Sequence, residues 1–226
     1  MLSIVIPCFN EEKIIQNSVS KINSWIALKK IKTEIILVNN KSTDNTLKKL
    51  KELEILENIF VLNEDTRGKG FAVKKGLEFC NFGKVIILDA DLSTDIAEFK
   101  SNWLKLKNTL IIGSRSLGIE INTPLKRKIS GKVFNFIVRS IFKFNIKDTQ
   151  CGFKYISSDD ISSIAKEISF SGFSYDIDLI NICKNLGYNI LEVPVTYKFN
   201  ENSSVSLIRD PYLMLRDLFL LKKKFK

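Results

Sequence analysis

Short runs of apolar, β-branched residues alternate with longer stretches of helical periodicity through the first half of the chain. Residues 2–7 form one such run, and Ile14, Ile15, Val19, Ile22, Trp25 and Ile26 then recur at helical spacing as far as Lys30. Residues 34–38 predict a second strand, followed by a helix capped by Ser42 or Thr43 and running through Leu56. A third strand is expected over 59–62, a helix over 69–79 and a fourth strand over 85–88. A helix after Thr94 and a fifth strand over 110–112 complete the series. Buried strands separated by helices predict an α/β fold, with a mostly parallel central sheet covered by helices on both faces. Ligands bind such sheets at the carboxyl ends of the strands. The loops at 7–12, 39–45, 63–70, 89–94 and 113–116 are therefore the ones to read.

Beyond Ser116 the alternation loosens. Residues 124–147 read as a basic amphipathic helix, 153–156 and 190–195 as two more strands, and 175–187 as a helix between them. The last stretch, 207–226, is apolar and ends in a lysine run. No repeat, low-complexity tract or linker divides the chain, so residues 1–226 are expected to form one domain, with halves 1–115 and 116–226.

Composition changes the picture at two points. The 226 residues include no histidine, which excludes Ser-His-Asp and Cys-His catalysis, histidine zinc sites and a histidine general base. The net charge of +10 is also uneven: residues 1–113 carry 17 basic and 14 acidic groups, residues 114–226 carry 18 and 11. The second half is the side expected to meet an anionic partner. The four cysteines lie far apart without a CxxC pair and read as reduced thiols of a cytosolic protein. No basic segment precedes a long apolar stretch at the N-terminus, so a signal peptide is not expected. No uncharged run approaches the ~20 apolar residues of a spanning helix, so no transmembrane segment is expected.

The strongest local feature is Asp89-Ala90-Asp91, placed where an apolar strand ends. Two carboxylates there suit a hard divalent cation that binds a diphosphate, or a helix cap beside a solvated acid. Pro7-Cys8-Phe9-Asn10-Glu11-Glu12 leaves the first strand with an aromatic ring and carboxylates. Asn39-Asn40 leaves the second with short polar groups able to bond a base or ribose. Arg67-Gly68-Lys69-Gly70 follows the third, where backbone can approach a ligand beside two cations. Each is by itself an ordinary turn. Together they describe a nucleotide site lacking both a Walker lysine and a GxGxxG loop.

These motifs resemble those of family 2 glycosyltransferases of the GT-A fold. Gly113-Ser114-Arg115, Arg127 to Ser130, Asp148-Thr149-Gln150-Cys151-Gly152-Phe153-Lys154, Gly172-Phe173-Ser174-Tyr175-Asp176-Ile177-Asp178 and Glu192-Val193-Pro194-Val195 narrow the resemblance. The series is similar to dolichyl-phosphate mannose and glucose synthases and polyprenyl-phosphate glycosyltransferases. It implies transfer of a hexose from a nucleotide-sugar (UDP-glucose or GDP-mannose type) to a polyprenyl or dolichyl phosphate, with inversion. Pro7, Phe9, Asn10, Glu11, Asn39, Asn40, Gly68, Lys69, Asp89 and Ala90 match nucleotide-sugar positions. Asp89, Asp91 and Ser93 match metal positions, implying Mg²⁺ or Mn²⁺. Asp91, Arg115, Arg127, Ser130, Asp148 and Asp176 match catalytic positions, the two arginines and Ser130 around the acceptor phosphate.

Two departures accompany the resemblance: Asn39-Asn40 stands where Asp-Asp is usual, and Val205 where a lysine is common, leaving Lys198 or Arg209 to meet the phosphates. An anionic membrane surface, a separate membrane subunit and a peripheral place on the cytosolic face are implied as well. Nucleic acid is not expected as a partner, because stacking platforms of exposed aromatics are not evident. The sequence also leaves open two rivals: a glycan or small-molecule hydroxyl acceptor, with Asp176 or Asp178 as base, and a non-catalytic binder of anions or lipid headgroups.

Overall fold

The computed structural model describes residues 1–170, 172, 174–200 and 209–225, the side chains of 209–215 excepted. Its first half follows the apolar pattern closely. The strands β1 (Leu2–Cys8), β2 (Thr33–Asn40), β3 (Ile59–Glu64) and β4 (Lys84–Ile87) alternate with helices α1 (Ile15–Lys29), α2 (Thr46–Leu53) and α3 (Lys69–Phe79). β1 pairs in parallel with β2 and β4, and β2 with β3. β2 is buried along its whole length, as expected of a strand covered on both faces. α3 packs closely on the sheet through Gly76, where an added Cβ would lie 2.4 Å from Val5 Cγ1.

Two expectations are corrected here. α2 is not capped by Ser42 or Thr43, which are spent on the first loop: Asn10 N–H donates to Ser42 Oγ at 3.1 Å, and Thr43 N–H to Asn10 Oδ1 at 2.8 Å. The helix starts at Thr46, whose N–H donates to Asp44 Oδ1 at 2.9 Å. After Thr94 there is no α-helix but two short 3₁₀ turns, Ile96–Glu98 and Ser101–Lys105. Phe99 and Trp103 are drawn into an aromatic cluster with Trp25 and Tyr155, at centroid separations of 5.5–5.9 Å. That packing overrides helical continuity.

The second half adds β5 (Thr109–Ile121), α4 (Leu125–Phe142), β6 (Lys154–Ser157), α5 (Ile161–Glu167), α6 (Tyr175–Asn185), β7 (Asn189–Lys198) and α7 (Arg209–Lys224). β5 runs far past the expected 110–112, and α4 stops before 147, at a left-handed Lys143 with φ 52°. The sequence pattern predicts no helix over Ile161–Glu167, where α5 forms. Among the described residues seven strands form one sheet, ordered β3-β2-β1-β4-β6-β5-β7. β6 alone is antiparallel to its neighbours, and it separates β4 from β5. One core lies between the sheet and α3 to α7, including Leu218 and Leu221 of α7; the other lies under α1, α2 and the aromatic cluster. Among the described residues no helix is long and apolar enough to cross a membrane.

Candidate active site

Parallel register brings the polar loops together. Cys8 pairs with Asn39 and Asn39 with Asn63, while Val5 pairs with Ile87 two residues before Asp89. The loops that end in Glu11, Asn40, Lys69 and Asp91 therefore leave one edge of the sheet. β6 runs the other way, so its entrance lies at that same edge, where Lys154 faces Ile87 and Ile112. This explains how the segment 148–154, distant in sequence, reaches the site.

At the end of β4 the chain turns sharply, with Leu92 at φ 49°. The Asp89 carboxylate is paired with the Lys69 ammonium, with 35 % of the aspartate side chain still exposed. Its other side lies against Gly152, where an added Cβ would sit 1.9 Å from Oδ2. Burial pushes the Asp89 carboxyl up, but Lys69, with Lys154 and Arg115 behind it, outweighs burial and holds it below its usual range. Asp91 accepts from Ser93 N–H at 2.9 Å and Ser93 Oγ–H at 2.6 Å, so Ser93 supports Asp91 directly. Ala90 is buried between them.

Glu11 stands across from this corner. Burial, then the negative charges of Asp91, Asp89 and Asp44, push its carboxyl from the ordinary 4.5 to about 7. That crowding of acids fits a cation among them. Among the described residues no three acidic, cysteine or histidine side chains form a ready-made cage. The donor set instead suits Mg²⁺ or Mn²⁺ held by one or two carboxylates and completed by substrate phosphates.

The candidate nucleotide side is built from Pro7, Phe9, Asn10, Asn39, Asn40 and the 66–69 loop. Arg67 lies 4.7 Å from the Phe9 ring centroid. Asn39 Nδ2 donates to Asn63 Oδ1 at 2.6 Å. Asn40 is tied to main chain at both ends: Nδ2 donates to Thr66 O at 2.8 Å, and Oδ1 accepts from Gly68 N–H at 2.7 Å. Gly68 has φ 145°, a conformation suited to glycine, and opens α3.

On the far side, Asp148 grips Arg115 in a fork, Nε to Oδ2 at 2.7 Å and Nη2 to Oδ1 at 2.8 Å. Burial pushes the Asp148 carboxyl up, and Arg115 overrides it to hold it below the carboxylate range. Arg115 also lies 5.3 Å from the Tyr197 ring, and Arg127 lies 4.9 Å from that of Phe199. Tyr197 and Phe199 are two residues apart, so both arginines lie at the end of β7. That end adjoins the carboxylate corner: Lys198 N–H donates to Ser93 O at 2.7 Å. Ser130 is exposed and turned back on its helix, its hydroxyl donating to Arg127 O at 3.2 Å.

Asp176 is buried and ion-paired with Lys154. Asp178 is buried too, accepting from Lys224 Nζ at 2.8 Å and from Ser169 N–H at 2.8 Å. Sequence reasoning missed Tyr197, Phe199 and Lys154 as participants; the first two carry a signal in their alternation at a strand end. Phe173 and the stretch 202–206, with Val205, lie outside the described residues, as does the Arg209 side chain.

Residues 3–165 match the family model described as glycosyl transferase family 2. A dolichyl-phosphate beta-glucosyltransferase of Trichomonas vaginalis is 30% identical over 221 residues, covering 91% of this chain and 68% of that one. A dolichyl-phosphate beta-glucosyltransferase of Saccharomyces cerevisiae is 28% identical over 256 residues, covering 99% and 75%. Among solved structures, glucosyl-3-phosphoglycerate synthase from Mycobacterium tuberculosis, in complex with Mn²⁺, UDP-glucose and phosphoglyceric acid, superimposes with a TM-score of 0.70. That match is 16% identical and covers 100% of this chain and 79% of the other. The mostly parallel sheet, the loops on its carboxyl edge and these likenesses agree: the chain is a glycosyltransferase of GT-A fold and belongs to glycosyl transferase family 2.

Proposed function

We propose that the protein transfers a hexose, glucose by the names of its relatives, from a nucleoside-diphosphate sugar to the phosphate of a dolichyl or polyprenyl phosphate at a membrane surface. The observation that carries this reading is the pair Arg115 and Arg127, which lie on Tyr197 and Phe199 at the end of β7 that adjoins the carboxylate corner. A phosphate monoester is already mostly ionised at neutral pH, its second pKa being ~6. Such a nucleophile needs no base, and a chain without histidine offers it cations instead. The carboxylates considered as bases for a hydroxyl acceptor, Asp176 and Asp178, are both buried and ion-paired, which speaks against that alternative.

Asp89 and Asp91 would hold Mg²⁺ or Mn²⁺, which supplies Lewis-acid stabilisation to the departing diphosphate when bound. Lys69 adds a cation beside Asp89, and Asp148 fixes the Arg115 fork. A base and ribose would lie beside Phe9 and Asn39.

The membrane part of the reading is supported by α4. Its inner face enters the core through Val138 and Asn135, yet Leu125, Ile129, Val133 and Phe136 form a second apolar stripe that is exposed. Ile119 and Ile121 of the long β5 end are exposed nearby in sequence, and Lys126, Lys128 and Lys132 border the stripe. Basic residues beside exposed apolar ones suit an anionic bilayer, at about 1 kcal/mol per Lys or Arg near its surface.

The test is incubation with polyprenyl phosphate in vesicles, Mn²⁺ and a panel of UDP- and GDP-sugars, scoring lipid-linked sugar. Label found only in water-soluble product would overturn the acceptor assignment.

A further inference from the structure

Two lysines and two aspartates meet behind the carboxylate corner. Lys69 pairs with Asp89, and Lys154 pairs with Asp176. The ring of Tyr175, the residue before Asp176, lies 5.8 Å from each ammonium. Lys154 is completely buried, and its ammonium also donates to Cys151 O at 2.7 Å. Gly152, next in the chain, is the residue pressed against Asp89.

A buried ion pair is weak evidence for stability, since apolar residues of similar volume often serve as well or better. The neighbourhood is apolar: Ile156, Ile177 and Ile180 are all inaccessible. What the pair changes is the choice open to Lys69, which is paired with the part-exposed Asp89 and also feels the charge of the buried Asp176. An unpaired Asp176 would be a poorly solvated anion, and Lys69 is a cation within reach of its charge.

We propose that Lys154 is a positioning residue: by neutralising Asp176 it keeps Lys69 on Asp89, and so holds the Asp89 carboxylate and the Lys69 ammonium in the arrangement that receives the donor diphosphate. The last clause rests on the proposed glycosyl transfer from a nucleotide-sugar; the exchange of partners by Lys69 does not.

The variants are Lys154→Met, Lys154→Arg and the double variant Lys154→Met with Asp176→Leu. In a ligand-free crystal structure of Lys154→Met, Lys69 Nζ is expected on Asp176; Lys69 still on Asp89 overturns the proposal, whatever the enzyme's substrate. In calorimetry with UDP and Mn²⁺, well below each variant's Tm, Lys154→Met is expected to bind at least tenfold more weakly. Lys154→Arg should stay within about threefold of wild type. The double variant has no competing anion, so binding should return to within about threefold. A lowered Tm with unchanged affinity in Lys154→Met would mean the pair is structural only and overturns the proposal. If Lys154→Met does not fold, the double variant decides: folded and binding normally supports the proposal, folded and binding weakly sinks it. Wild type failing to bind UDP with Mn²⁺ would instead sink the donor reading, and the crystal structures alone would then decide the partner exchange.

Discussion

The Asn40 amide has an orientation that its partners dictate. Gly68 N–H can only donate and Thr66 O can only accept, so Oδ1 must face the first and Nδ2 the second. Asp at this position would set an oxygen against a carbonyl. Asn40→Asp is therefore expected to loosen the 66–69 loop and weaken UDP binding on the order of tenfold, within the roughly 1–3 kcal/mol of an unsatisfied buried group. Calorimetry beside thermal unfolding would check this. Beside the nucleotide role expected for it, Asn40 thus has a hold on the loop. That was not legible in sequence because both partners are main-chain groups more than twenty residues away. Asp89 and Asp91, by contrast, were legible, since position at a strand end is a local property.

Glu11 makes a pH prediction. Its carboxyl lies near 7 in the folded protein against an ordinary 4.5, so the folded state binds the proton more tightly. Its contribution to stability is full below about 4.5 and lost as pH rises through about 7. Thermal unfolding of ligand-free protein should show this loss, and Glu11→Gln should flatten it. Mn²⁺ should restore stability at pH 7 and above in wild type. An identical pH profile in Glu11→Gln would show that the crowding of Glu11, Asp89 and Asp91 is not felt.

At the scale of elements, the first four strands and their helices follow from periodicity because each is buried on a regular face. β6 shows where that reading stops: a four-residue run buried throughout carries no mark of its direction. The sequence after Thr94 predicts a helix where the structure has 3₁₀ turns, because the pull of Trp25 and Tyr155 on Phe99 and Trp103 is tertiary. α4, expected as a basic amphipathic helix, has one face in the core and another exposed. Replacing Ile129 and Phe136 by Ser removes two exposed side chains from the outer stripe. Partition onto anionic vesicles in a sedimentation assay should fall at least tenfold, with Tm and UDP binding nearly unchanged. A fall in UDP binding as large as that in partition would argue against a separate lipid-facing stripe.

Across the whole molecule the basic excess of residues 114–226 has an address. Arg115 and Arg127 lie on Tyr197 and Phe199 at the end of β7, and lysines edge the exposed stripe of α4. Lys224 instead fastens α7 to the site's supporting segment, donating to Glu167 O at 2.6 Å, Ser169 Oγ at 2.9 Å and Asp178 at 2.8 Å.

The place of β6 in the sheet also sets an order of events during synthesis. β1 to β4 pair among themselves and can close once residue 87 has left the ribosome. β5 cannot join them, because both of its neighbours, β6 and β7, are encoded downstream. At about 5–20 residues per second, β5 waits several seconds with Leu110, Ile111 and Ile112 uncovered. Pulsed hydrogen exchange during refolding should find β1, β2 and β4 protected first, and β5, β6 and β7 later and together; protection of β5 in the early group would refute this order. A nascent chain with residues 1–140 outside the ribosome should present that apolar strand to chaperones, while one with residues 1–200 outside should not.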